Sequence, residues 1–377
     1  LEETIAAIHA TMQDSVKAHK IADDEVGSFL SSGIDSSYIT CLANVDKTFT
    51  VGFDNEQYNE ISYAKDLSSK IGVKNISKVI TKKEYFDSLN KIQYHMDEPL
   101  ADPSSIALYF VTKEAAKHVK VALSGEGADE LFGGYNIYKE PLDTTFYTRI
   151  PFPIRYAIGR VASIFPKVRG FNFLVRKGLK LEDRFIGNAF MFSEEERKQI
   201  LNIKTSARSF KDITKPLYDK VKNKDEVTKM QYIDINLWMV GDILLKADKM
   251  SMANSLEVRV PFLDIEVMKL ASTIPTEYKV TKDFTKYALR MASKNVVPTN
   301  ATNKKKLGFP VPIRVWLKEE DTYNKVEKAF LSVTAKKYFN YEYLLKLLED
   351  HKNGEKDNSR KIWTVYIFLV WYSQYFK

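Results

Sequence analysis

The sequence predicts an α/β protein, a doubly wound, mostly parallel sheet with a mostly helical second half. Three observations carry this. Short apolar runs alternate with helical spacings through roughly the first third of the chain. Two loops rich in Gly, Ser and acidic residues each follow such a run. Beyond Tyr138, prolines and long helical patterns replace the alternation.

In order, Leu1–Lys20 shows helical spacing (Ile5, Ile8, Met12, Val16), and Asp23-Asp24 leads into a strand over Val26–Leu30. Further strands are predicted at Thr48–Phe53, Asn75–Ile80 and Val119–Leu123, and helices at Ser36–Ala43, Ser62–Ile71 and Ile106–His118. Ligands of such a sheet bind at the carboxyl ends of its strands, so both loops are expected on one edge, as one site. Pro141, Pro151, Pro153 and Pro166 then break the chain, and helical patterns dominate beyond Phe185. The expected organisation is an α/β core over 1–145 that carries both loops, and a mostly helical region over 146–377 packed on it. Arg149–Lys180 is basic and aromatic, which suits either a partner surface or a solvated face over a local core.

Composition narrows the function classes. With 44% hydrophobic and 28% charged residues, disorder throughout is excluded. The net charge of +8 is mild for 377 residues, and no basic helix or aromatic-basic repeat points to nucleic acid. The lone cysteine, Cys41, excludes an internal disulfide framework and suits packing in a reducing compartment. Five scattered histidines form no metal-ligand pattern. No stretch reads as a signal peptide, and Ile362–Trp371 is far short of the ~20 residues a membrane span needs. It reads as a buried helix. A cytoplasmic protein without a membrane partner is expected.

The chemistry lies in the two loops. Ser31-Ser32-Gly33-Ile34-Asp35-Ser36-Ser37 joins a strand to a helix, where backbone N–H groups, hydroxyls and the helix dipole face an anion. Leu123-Ser124-Gly125-Glu126-Gly127-Ala128-Asp129-Glu130 repeats the design and adds three carboxylates. A phosphate site beside an acid-rich one suggests nucleotide, metal and a general base.

The first loop resembles the pyrophosphate loop of ATP pyrophosphatases, usually Ser-Gly-Gly-x-Asp-Ser; it is not a Walker loop. Together with Leu123–Tyr135 (LSGEGADELFGGY) and Ala253–Asp264 (ANSLEVRVPFLD), it resembles the synthetase domain of class B, glutamine-hydrolysing asparagine synthetases. Thr48–Phe53, Asp97–Ser105 and Lys306–Pro310 add to the match, which runs from about residue 20 to 320. Members open with a glutaminase domain whose first residue is a catalytic Cys. This chain opens at Leu1 on the synthetase part, so it is expected to be a fragment lacking that domain.

The resemblance implies adenylation of L-aspartate by ATP with Mg²⁺, release of pyrophosphate, and displacement of AMP by ammonia. Ser31, Gly33, Ser36 and Ser37 are then the pyrophosphate ligands, and Asp35 and Asp129 the Mg²⁺ ligands. Ser32 departs from the usual second Gly, crowding the loop while offering a hydroxyl. Glu126 is the expected base for attacking ammonia, with capping of the following helix as the competing reading. Lys306, in the register Lys-Leu-Gly-Phe, is expected to bring a cation onto the phosphates. Adenine is expected against Leu30, Val51, Ser124 and Gly125. For aspartate the candidates are Asp242 and Lys246 (i, i+4), Asp102, Ser104, Glu257 and Arg259; a structural salt-bridge network explains the charged ones equally well. The partners are thus ATP, L-aspartate, ammonia and a glutaminase domain, with a homodimer left open. Two alternatives stand: a β-lactam synthetase or peptide cyclase relative using another acid, and a non-catalytic nucleotide-binding module. In β-lactam synthetases a Tyr holds the position of Glu126, so the Glu favours external ammonia.

Overall fold

The computed structural model describes residues 1–142, 146–164, 170–298 and 311–376. Five parallel strands, β1 (Val26–Phe29), β2 (Lys47–Phe53), β3 (Lys74–Ile80), β4 (Val121–Leu123) and β5 (Glu257–Arg259), lie in the order β3-β2-β1-β4-β5. The chain runs outward from β1 through β2 to β3, then returns to place β4 on the other side of β1. Strand order therefore reverses between β1 and β4. At such a point the loops leaving adjacent strands diverge and open a crevice. The two signature loops are the ones that leave β1 and β4.

Helices cover both faces, which is why every residue of β1 and β4 is buried. The helices that matter here are α1 (Glu2–His19), α2 (Ile34–Ala43), α3 (Ile61–Lys70), α4 (Ser104–Ala115), α5 (Ala128–Phe132), α6 (Phe152–Ala162), α7 (Phe171–Lys177), α8 (Leu245–Met252), α9 (Tyr287–Ser293) and α10 (Ser359–Tyr375). On one face Phe49, Ile106, Val111, Met250, Trp363 and Ile367 form a core shared by the sheet, α4, α8 and α10. On the other, Ile8, Met12, Ile34, Leu131 and Leu289 join α1, α2, α5 and α9. The apolar run Ile362–Trp371 lies within α10, and among the described residues no helix is long and apolar enough to cross a membrane.

The predicted strands and helices of the first 123 residues are all present, with ends shifted by a residue or a few. Strand β5 was not foreseen. Its three residues are too few to show a period, and they pair with β4 in parallel (Val121–Glu257, Ala122–Val258, Leu123–Arg259). The sheet thus crosses residue 145, taking its fifth strand from the expected helical region.

Candidate active site

The crevice between the β1 and β4 loops encloses about 520 Å³, in the range of small-molecule sites. The first loop is preorganised by its own side chains. The hydroxyls of Ser31 and Ser36 lie 2.9 Å apart, and the Gly33 N–H donates to Ser31 Oγ at 3.1 Å. Helix α2 starts immediately afterwards, so its first N–H groups and dipole face the crevice. Ser32 is buried, and its hydroxyl donates to the Glu60 carboxylate, which also lines the crevice.

Asp35 and Asp129 converge on a residue that motif reading missed, Lys286. Its buried Nζ lies 2.5 Å from Asp35 Oδ2 and 2.7 Å from Asp129 Oδ1. Burial alone would lower the ammonium's pKa, but Asp129 and Asp35 outweigh it and hold the pKa above its ordinary value. Lys286 sits at φ +54°, a strained conformation for a side-chain-bearing residue, immediately before α9. Gly134 makes room for the pair: a Cβ there would stand 1.8 Å from Asp129 Oδ1 and 2.1 Å from Lys286 Cε. Gly127, at φ +89°, turns the chain into α5 where a Cβ would strike Leu263. Arg290, one turn beyond Lys286, adds another cation to the lining.

The buried Asp35 Oδ1 has no hydrogen-bond partner among the described residues. An orphaned carboxylate oxygen, with Asp129 beside it and a phosphate-facing turn above, is a hard-oxygen donor set suited to Mg²⁺. No group of three or more His, Cys, Asp or Glu side chains converges among the described residues. Any such ion would therefore draw its remaining ligands from nucleotide and water.

Glu126 lines the crevice and accepts a hydrogen bond from Ser124 Oγ. It does not cap α5: the N-cap is Gly127, and no side chain caps that helix. Next to it, Tyr135 donates to the buried Glu130 at 2.5 Å and accepts from Trp238 Nε1 at 3.0 Å. Burial, and then the charge of Asp129, raise the Glu130 carboxyl to about 7. At the opposite end Phe29, Leu30, Phe49, Val51, Leu108 and Val111 form an apolar wall, with Ser124 and Gly125 at the strand ends beside it.

Lys246 is clamped between Asp102 and Asp242, the latter at 3.0 Å, and lies 5.9 Å from the centre of the Trp238 ring. Asp102, Ser104 and Lys246 line the crevice, while Asp242 stands behind Lys246 on a π-helical stretch, Asp234–Leu244. Burial and then the charge of Asp102 raise the Asp242 carboxyl, whereas the two aspartates hold the Lys246 ammonium high against its own burial.

Besides Asp242, three expected residues are not in the lining. Ser37 is fully buried and donates to the Gly33 carbonyl at 2.8 Å, so its hydroxyl serves the loop. Arg259 and Glu257 pair on β5, and Arg259 donates to the carbonyls of His19 and Ile21, fastening the end of α1 to the sheet. This fits the structural salt-bridge reading, and neither residue lines the crevice. Lys306 lies outside the described residues. Burial pushes the Cys41 thiol up to about 11, in keeping with a packing role.

Two outcomes are expected. Lys286→Met leaves two carboxylates facing each other and should lower stability by about 3–5 kcal/mol in denaturant titration. Mg²⁺ should restore more stability to that variant than it adds to the parent; equal Mg²⁺ effects would contradict the shared site. Glu130, raised from its unfolded value, contributes stability that is complete below about pH 4.5 and fades as pH rises through about 7. Glu130→Gln should therefore gain about 2 kcal/mol over the parent at pH 8 and little at pH 5, by thermal unfolding across that window.

The family model described as asparagine synthase matches residues 7–373. "Asparagine synthetase [glutamine-hydrolyzing] 1" of Bacillus subtilis is 49% identical over 377 aligned positions, 99% of this chain and 60% of that protein. A putative asparagine synthetase of Mycobacterium tuberculosis is 44% identical over 371 positions, covering 97% and 57%. The amidase ChyE of Penicillium rubens is 25% identical over 361 positions, covering 84% and 53%. The chain spans about 60% of the length of these asparagine synthetases. With a match that runs almost end to end and a phosphate loop at the switch point of a parallel sheet, the chain belongs to the asparagine synthase family.

Proposed function

We propose that this chain is the synthetase part of an asparagine synthetase, activating L-aspartate with ATP and joining it to ammonia. The observation that carries the reading is the meeting, in one crevice, of a phosphate-facing turn, the Asp35–Lys286–Asp129 cluster and Glu126. Adenine stacks against the apolar wall at Leu30 and Val51. The triphosphate lies along Ser31, Gly33 and Ser36, with Lys286 and Arg290 balancing its charge. Bound Mg²⁺, held by Asp35 and Asp129, would screen the phosphates as charge builds on the leaving pyrophosphate.

The β-carboxylate of aspartate attacks the α-phosphorus, forming β-aspartyl-AMP as the bond to pyrophosphate breaks. Ammonia then attacks the acyl carbon, Glu126 takes the proton released, and AMP leaves with the former carboxylate oxygen. Lys246, Asp102 and Ser104 stand where the substrate's amino-acid end would lie. There Asp102 suits its ammonium, and Lys246, backed by Asp242, its α-carboxylate. Lys306 keeps the role the resemblance gives it, a cation on the phosphates during adenylation. The relatives are named glutamine-hydrolysing, so ammonia would reach this site from glutamine cleaved elsewhere in a full-length protein.

The chain supplied with ATP, Mg²⁺, L-aspartate and ammonium should form AMP and asparagine in equal amounts. Asp35→Asn should lose both products. Glu126→Gln should keep aspartate-dependent pyrophosphate release and lose asparagine formation by roughly 10²–10⁴. ADP in place of AMP, or asparagine formed normally by Glu126→Gln, would overturn the scheme. AMP formed with a different acid but not with aspartate would transfer the reading to another carboxylate substrate.

A further inference from the structure

We propose that the hairpin of α6 and α7 is a peripheral contact for an anionic lipid surface. Between residues 149 and 180 the sequence holds eight Lys or Arg and no Asp or Glu. One face of α6 is fully used inside the fold. A Cβ at Gly159 would stand 3.1 Å from the Leu174 carbonyl oxygen, and one at Gly178 2.7 Å from that of Arg155, so the two backbones are in contact. Arg155 locks the pair by donating to the carbonyls of Ile150 and Lys177, each at 2.9 Å. Glu140 anchors the hairpin to the body through Arg176 at 2.8 Å and the buried Lys177.

The opposite face is apolar and turned to solvent. Ile154, Ala157, Val161 and Ile164 follow helical spacing, and Ile154, Val161 and Ile164 are 53%, 59% and 70% exposed. Phe146, just before α6, is 81% exposed, and Tyr156 and Phe173 flank the stripe. Arg149, Arg160 and Lys180 are exposed around it. This is the pattern of a helix lying in a membrane interface: aliphatic stripe toward the acyl boundary, cations at the headgroups, aromatic rings between.

Charge decides among the occupants. A second copy would bring the same acid-free basic hairpin against this one, and like charges would oppose the contact. Nucleic acid would meet the arginines but leave the Ile/Val stripe without a partner. An anionic bilayer matches both. At 11 residues α6 is about 16 Å long, so the contact is shallow, reversible and salt-sensitive, and it lies on the membrane without crossing it.

The test is co-sedimentation of the whole chain with vesicles of phosphatidylglycerol and phosphatidylcholine, against phosphatidylcholine alone. Two variants accompany it: Ile154→Ser/Val161→Ser/Ile164→Ser, and Arg149→Glu/Arg160→Glu. All five side chains point outward and none lines the crevice, so circular dichroism and AMP formation should match the parent. Binding is expected to the anionic vesicles only, to fade at about 0.5 M salt, and to weaken about tenfold or more in each variant. Failure to bind anionic vesicles, or binding that neither variant weakens, overturns the proposal. So does self-association in vesicle-free sedimentation velocity that the triple variant abolishes, which would assign the stripe to a second copy.

Discussion

The ion cluster of Lys286 with Asp35 and Asp129 is the contact on which the site depends. It joins the helix after β1, the helix after β4 and the start of α9 at the crevice end of the apolar core those helices share. Close pairs in partly screened surroundings attract by on the order of 4 kcal/mol each, and desolvating three charges costs several. The balance makes the cluster a poor source of net stability. It makes it a strict specification of geometry, because removing any one charge strands the others. Space is reserved for it at Gly134, and backbone strain is accepted for it at Lys286.

Topology places this cluster where a ligand can use it. With strand order β3-β2-β1-β4-β5, the only reversal among the described residues lies between β1 and β4, and both signature loops leave the sheet there. The parallel arrangement also points the dipoles of α2 and α5 toward the same opening, one turn beyond each strand end. Positive ends of helices, the cations Lys246, Lys286 and Arg290, and the carboxylates thus balance around one cavity. That balance suits a substrate pair in which one member is a polyphosphate and the other a zwitterion. The apolar wall of Phe29, Leu30, Phe49, Val51, Leu108 and Val111 gives the crevice one dry side.

Legibility in the sequence followed locality. The strands of the first 123 residues and both loops declared themselves through short-range pattern, because period, turn chemistry and phosphate binding are encoded within ten residues. Ser31, Gly33, Asp35, Ser36, Glu126 and Asp129 consequently came together where they were expected. Lys286 did not declare itself. It stands 251 residues from Asp35, and only the folded chain shows that the two touch. Glu60 and Trp238 were hidden for the same reason, whereas Tyr135 stood unassigned inside a signature segment. Arg259 shows why the sequence left two roles open: a charged residue inside a signature segment can serve the sheet, here by holding the end of α1. Ser37 shows the converse error, since a hydroxyl in a phosphate loop can turn back to brace the loop itself.

The central claim is that the cluster of Asp35, Lys286 and Asp129 is the phosphate and metal end of one nucleotide site. A crystal structure with Mg²⁺ and α,β-methylene-ATP tests it most directly. The account predicts phosphates along Ser31, Gly33 and Ser36, the metal on Asp35 and Asp129, and Lys286 turned from the carboxylates toward a phosphate oxygen. A nucleotide bound elsewhere, or a metal held without either aspartate while their pairing with Lys286 stays intact, would contradict it.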